Sequence, residues 1–203
     1  MKVKLSTVQT IAVFVAVLCL MLGPASSCSG LLDQAEKAAA EGHTAEAAAL
    51  YRASLDKDPD NLEALRGLAV ALYLNESFDE ALPVQEKVVD LDATDVQTRI
   101  ELGFNYLAHQ GRPADAAKVL GEAASLDPSA KNLTYWAQAL IACGEEARAE
   151  EVLRKAIETE PGYAHSYEVL YRLLCSQGRI DEAQRLLGDA AAQGVVVNNS
   201  PAR

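Results

Sequence analysis

Basic residues are in short supply. Lysine and arginine together number 18 against 29 aspartates and glutamates, which leaves a formal net charge of −11. Binding a phosphate backbone requires a basic footprint, and none is visible along this chain. Nucleic acid is therefore excluded as a partner, and an anionic membrane surface is excluded as a docking plane for the folded body. Histidine is scarcer still: His43, His109 and His165 lie far apart, and no group of ligands falls at metal-binding spacing. The sequence also lacks a glycine-rich phosphate loop and any G-x-S-x-G nucleophile turn. The chain reads as a non-enzyme, with no catalytic residue, no metal and no cofactor.

What the sequence does have is a recurring unit. From Leu102 to Pro128, apolar and small residues at Leu102, Gly103 and Tyr106 are followed by Gly111. Ala116, Leu120 and Ala123 come next, then Pro128. The spacing predicts helix, turn, helix, stop. Proline cannot continue a helix, because it lacks the amide hydrogen and its ring clashes with the preceding turn. The alanine that opens each second helix returns as Ala47, Ala81, Ala116, Ala149 and Ala183, at steps of 34, 35, 33 and 34 residues. Turn glycines stand at Gly42, Gly111, Gly144 and Gly178, and terminating prolines at Pro59, Pro128 and Pro161. These landmarks define five units.

A period of about 34 with this order of residues resembles the tetratricopeptide repeat, two antiparallel helices per unit. The resemblance implies an all-α fold, a right-handed superhelical solenoid of about five repeats. The expected divisions are 28–61, 62–95, 96–129, 130–163 and 164–194, with a tail at 195–203. Three positions depart from the pattern. Glu76 stands where a turn glycine is expected, Tyr171 where a small residue is expected, and Pro113 lengthens the third turn by one residue. Trp136 is expected to pack between helices. Cys143 and Cys175 fall near the ends of neighbouring first helices, whose axes pack ~8–10 Å apart, whereas a disulfide wants Cα atoms within ~7 Å. They are expected to be free, buried thiols.

The amino terminus has its own layout. Lys2 and Lys4 precede an apolar run from Ile11 to Leu22, followed by Gly23, Pro24, Ala25, Ser26, Ser27 and Cys28. This is the order of a secretory signal, so residues 1–27 read as a signal peptide. Small residues directly before Cys28 resemble the lipobox of bacterial lipoproteins, with Ala25 in place of the usual leucine. The resemblance implies lipidation of Cys28 and attachment to the outer membrane, facing the periplasm. An uncleaved inner-membrane anchor through the uncharged stretch from Leu5 to Gly23 is the alternative, since ~20 apolar residues span a bilayer.

In tetratricopeptide proteins the first helices line a groove that takes an extended peptide or a partner helix. By that resemblance the groove residues are Arg66, Val70 and Tyr73 in the second repeat and Ile100, Phe104 and Leu107 in the third. The fourth repeat supplies Thr134, Gln138 and Ile141, and the fifth His165, Glu168 and Arg172. The clamp of Lys, Asn and Arg that some members use is absent, because Leu32 and Glu36 occupy matching places. The partner is thus another protein. The roles implied are an assembly or stability factor for an envelope complex such as a secretin or pilus, or a regulatory subunit docking a periplasmic cell-wall enzyme. A homo-oligomer built through an uncapped last repeat is the structural alternative.

Overall fold

A computed structural model describes residues 28–198, so the segment read as a signal peptide lies outside the described residues. Ten helices are present among them and no strand: α1 (Cys28–Ala40), α2 (Thr44–Leu55), α3 (Leu62–Leu74), α4 (Phe78–Leu91), α5 (Val96–Ala108), α6 (Pro113–Leu126), α7 (Ala130–Ala142), α8 (Glu146–Thr159), α9 (Ala164–Ser176) and α10 (Ile180–Ala192). They fall into two compact units, one up to Ala93 and one from Thr94 onward.

Local chemistry explains why helices start and stop there. Three first helices are capped by side chains: Asn61 accepts from the Ala64 amide, Asp95 from Thr98 and Ser129 from Asn132. Each such bond satisfies an amide that the helix itself leaves unpaired. The second helices have no side-chain cap. Each begins just after a turn that contains a left-handed residue, and each places acid in its first turn, as with Glu46, Asp79, Asp115, Glu146 and Asp181. Negative charge there complements the helix dipole.

The turns inside the helix pairs share one closure. His43 donates its amide to Ala38 O at 2.8 Å, Ser77 to Leu72 O, Glu145 to Leu140 O and Arg179 to Leu174 O at 2.9 Å each. The residue before each donor has positive φ: Gly42, Gly144 and Gly178, and in the second pair Glu76 at φ 59°. Glu76 therefore adopts the backbone that glycine adopts elsewhere. In the third pair Arg112 reaches back to Tyr106 O at 2.8 Å, one residue farther, and Pro113 opens α6. That is the extra turn residue expected from the sequence.

Packing follows the small residues. Ala47, Ala81, Ala116, Ala149 and Ala183 are all fully buried, as are Ser54, Val88, Ala123, Ala156 and Ala190 seven residues on. In the first unit Ala47 and Ala81 join Ala35, Tyr51, Ala64, Leu68 and Leu72 in a continuous core. In the second, Leu120, Leu133, Leu140, Leu153, Leu170 and Leu174 fill the space between helices. A Cβ built on Gly103 would lie 2.5 Å from Leu120 Cγ, so α5 and α6 meet there at a distance that only glycine permits. Trp136 lies against Gly121 of α6, with the Arg148 guanidinium 5.0 Å from its ring. The last pair is looser. Tyr171 occupies the close-approach position of α9, and on α10 only Ala183 and Ala190 are buried.

Cys143 and Cys175 are free, as expected, but both are partly exposed rather than buried. Partial burial and then the nearby Glu145 push the Cys143 thiol above its ordinary value.

Candidate protein-binding face

The open face of the second unit is built by α5, α7 and α9, whose flanks are taken up by their neighbours. Thr134 shows how. Its hydroxyl bonds Ala130 O at 2.7 Å and Ser166 Oγ of α9 at 2.8 Å, and the side chain is fully buried. Ile100 holds the same place one repeat earlier and is 8% exposed. Both were expected on the open face. They point instead to the flank that the next first helix covers, so they are corrected to packing residues.

What remains open is a narrow stripe. On α5 it carries Gln97, Glu101, Phe104, Leu107 and Ala108, and on α7 Lys131, Tyr135, Gln138, Ile141 and Ala142. Phe104 and Tyr135 meet edge to face, with ring centroids 4.8 Å apart. Lys131 Nζ lies 5.8 Å from the Tyr135 centroid. Lys131 and Val169 were missed by the sequence reading, and Tyr135, beside Trp136, reads there as core. Adding 34 to Glu101 gives Tyr135 and then Val169, so the repeat itself carried the signal.

Toward the far end of these helices the face deepens into a hollow of about 490 Å³. It is lined by Leu107, Gln138, Ile141, Val169, Arg172, Leu173 and Ser176, so four of the residues expected there line one cavity. At the near end a polar chain crosses the face. Gln138 Nε2 meets His165 Nε2 at 3.0 Å, and His165 Nδ1 meets Glu168 Oε2 at 3.1 Å. Glu168 Oε1 then accepts the amide of Asn198 at 3.1 Å.

In the first unit the expected residues are less free. Arg66 pairs with Asp92 at 2.6 Å. Tyr73 stacks edge to face on Phe78, with centroids 5.2 Å apart. Val70, by contrast, is 44% exposed, and so is its neighbour Leu74, at 63%. On α1, Glu36 is exposed and is raised above the ordinary carboxylate value, chiefly by a hydrogen bond with Glu63 and then by local desolvation and charge repulsion.

Among the described residues no group of three histidines, cysteines or acids could hold a metal. No described helix is long and apolar enough to cross a membrane.

Matches to the tetratricopeptide repeat family cover residues 32–96 and 107–166, together more than half of the chain. The chain belongs to that family. A curated relative, tetratricopeptide repeat protein 8 of Caenorhabditis elegans, is 24% identical over 147 residues, 71% of this chain and 29% of that protein. The chain thus spans less than a third of that relative's length. Among solved structures, a MamA protein superposes with a TM-score of 0.75 at 23% identity, over 81% of this chain and 90% of that one. MamA from Desulfovibrio magneticus RS-1 gives 0.73 at 16% identity, over 81% and 93%. YrrB, described as a tetratricopeptide protein with an unusual peptide-binding site, gives 0.72 at 18% identity, over 82% and 86%. These likenesses establish the solenoid fold.

Proposed function

We propose that the chain is a non-catalytic scaffold, a lipoprotein anchored through Cys28 to the bacterial outer membrane and facing the periplasm. Its open face binds another protein during assembly or stabilisation of an envelope complex such as a secretin or pilus. The observation that carries the binding part is the face of α5, α7 and α9, where Phe104 is half-buried against Tyr135 and a hollow is lined by Leu107, Gln138, Ile141 and Arg172. Apolar side chains left open beside such a hollow mark partner sites. YrrB, a protein of the same fold, is described as having an unusual peptide-binding site, which supports the reading by analogy. The anchor rests on the amino-terminal layout alone: two lysines, the apolar run and the small residues before Cys28. Acyl chains contribute ~0.8 kcal/mol per buried CH₂, so loss of the cysteine should release the protein.

Affinity capture from solubilised membranes tests the partner. Recovery of a multimeric secretin or pilus component supports this reading, and recovery of a peptidoglycan enzyme would move it to a regulatory docking subunit. For the anchor, metabolic labelling with a fatty-acid analogue should mark the parent and not Cys28→Ala. Equal labelling overturns the lipidation, and an intact mass retaining residues 1–27 would indicate a spanning anchor.

A further inference from the structure

Arg172 differs from most arginines of this chain. Arg52, Arg66, Arg99, Arg112, Arg148, Arg154 and Arg179 each pair with a carboxylate of the same chain. Arg172 lines the hollow, is exposed, and makes one hydrogen bond among the described residues, Nε donating to the Glu168 carbonyl at 3.4 Å. Its natural partner would be the Glu168 carboxylate one helical turn earlier, since residues four apart face each other. Both oxygens of that carboxylate are engaged, one by His165 and the other by the Asn198 amide. Among the described residues no carboxylate pairs with this guanidinium, which stands beside an apolar hollow in a chain whose acids outnumber its bases and leave a net charge of −11.

The geometry points to a partner segment that presents a carboxylate next to a bulky aliphatic side chain. The side chain fills the hollow over Leu107, Ile141, Val169 and Leu173, and the carboxylate takes the Arg172 fork. Gln138 lies between the two and is available to a backbone group. This rests on the scaffold reading and names the chemistry of its partner. An acidic chain should repel an acidic segment everywhere except at such a place, so Arg172 fixes position and register as well as adding attraction. A guanidinium suits this role because its planar donors match a carboxylate two at a time.

A displayed library of random twelve-residue peptides, selected against the full chain in detergent, tests the assignment. Enriched sequences are then measured by fluorescence polarisation. Sequences with Asp or Glu beside Leu or Ile are expected, weakened roughly tenfold when the acid becomes its amide or when Arg172 is replaced in Arg172→Gln. Arg172→Lys should fall between, and circular dichroism should show both variants folded, since the side chain is exposed. Peptides that bind equally to Arg172→Gln but are lost in Ile141→Asp overturn the acidic requirement while leaving the groove in place. Enrichment of basic peptides overturns it too. Peptides insensitive to every substitution on this face overturn the groove as well.

Discussion

Glu76 sits at φ 59° where four other turns use glycine. A side chain in left-handed backbone costs ~1–2 kcal/mol, offset in part by the smaller backbone entropy that a non-glycine residue loses on folding. Glu76→Gly should therefore stabilise the first unit by up to about 1 kcal/mol, seen as a higher midpoint in thermal unfolding followed by circular dichroism. Two helical glycines make a sharper pair. At Gly103 a methyl group would meet Leu120 at 2.5 Å, whereas at Gly188 it would meet nothing within 4 Å. Gly103→Ala should cost ~1–3 kcal/mol by overpacking. Gly188→Ala should gain ~0.5–1 kcal/mol through helix propensity. Equal effects from the two would mean that the close approach of α5 and α6 is misplaced.

Among the elements, α10 adds a charge network to a small buried core. Arg179, in the turn before it, donates to Glu150 of α8 and to Glu182 of α10, and Arg154 also binds Glu150. These bonds, with that to Arg179 foremost, hold the Glu150 carboxyl below its ordinary value of 4.5. A depressed acid contributes stability that is present above the ordinary value and lost as pH falls through the depressed one. The second unit should accordingly lose on the order of 1 kcal/mol more on acidification than its Glu150→Gln variant. Denaturant titrations at neutral and acidic pH would measure that difference, and parallel losses would assign acid sensitivity elsewhere. The sequence made the pairing of these helices legible, because each landmark alanine is completely buried. It left open which residues face outward. A helix turns ~100 degrees per residue, so one position separates Thr134, sealed against Ser166, from Tyr135, half-exposed beside Phe104. Nor could spacing show that Arg99 would be buried on α5 with Glu122 of α6 as its ion partner, since both letters suit a solvated face equally well.

For the molecule as a whole, repeat arrays derive stability from neighbours, so a terminal unit has less of it. Within the second unit, α7 and α8 bury Leu133, Leu140 and Leu153 completely, while α10 buries two alanines. Amide exchange should be slowest in α7 and α8 and faster in α10. Uniform protection across these helices would show that the looser packing has no energetic counterpart. A bound peptide in the hollow, touching α5, α7 and α9, should slow exchange in α9 more than in α10, which separates ligand protection from general tightening.

The turn between α5 and α6 carries one residue more than its counterparts, yet Ala116 downstream is as buried as Ala149 or Ala183. The helix that follows is thus placed by its own row of small residues and not by the length of chain leading into it. For engineering, this makes the stretch from Gln110 to Arg112 the natural seam. A fluorophore-bearing loop or an epitope inserted there would leave both flanking helices in register, and it would let the protein be followed in cells.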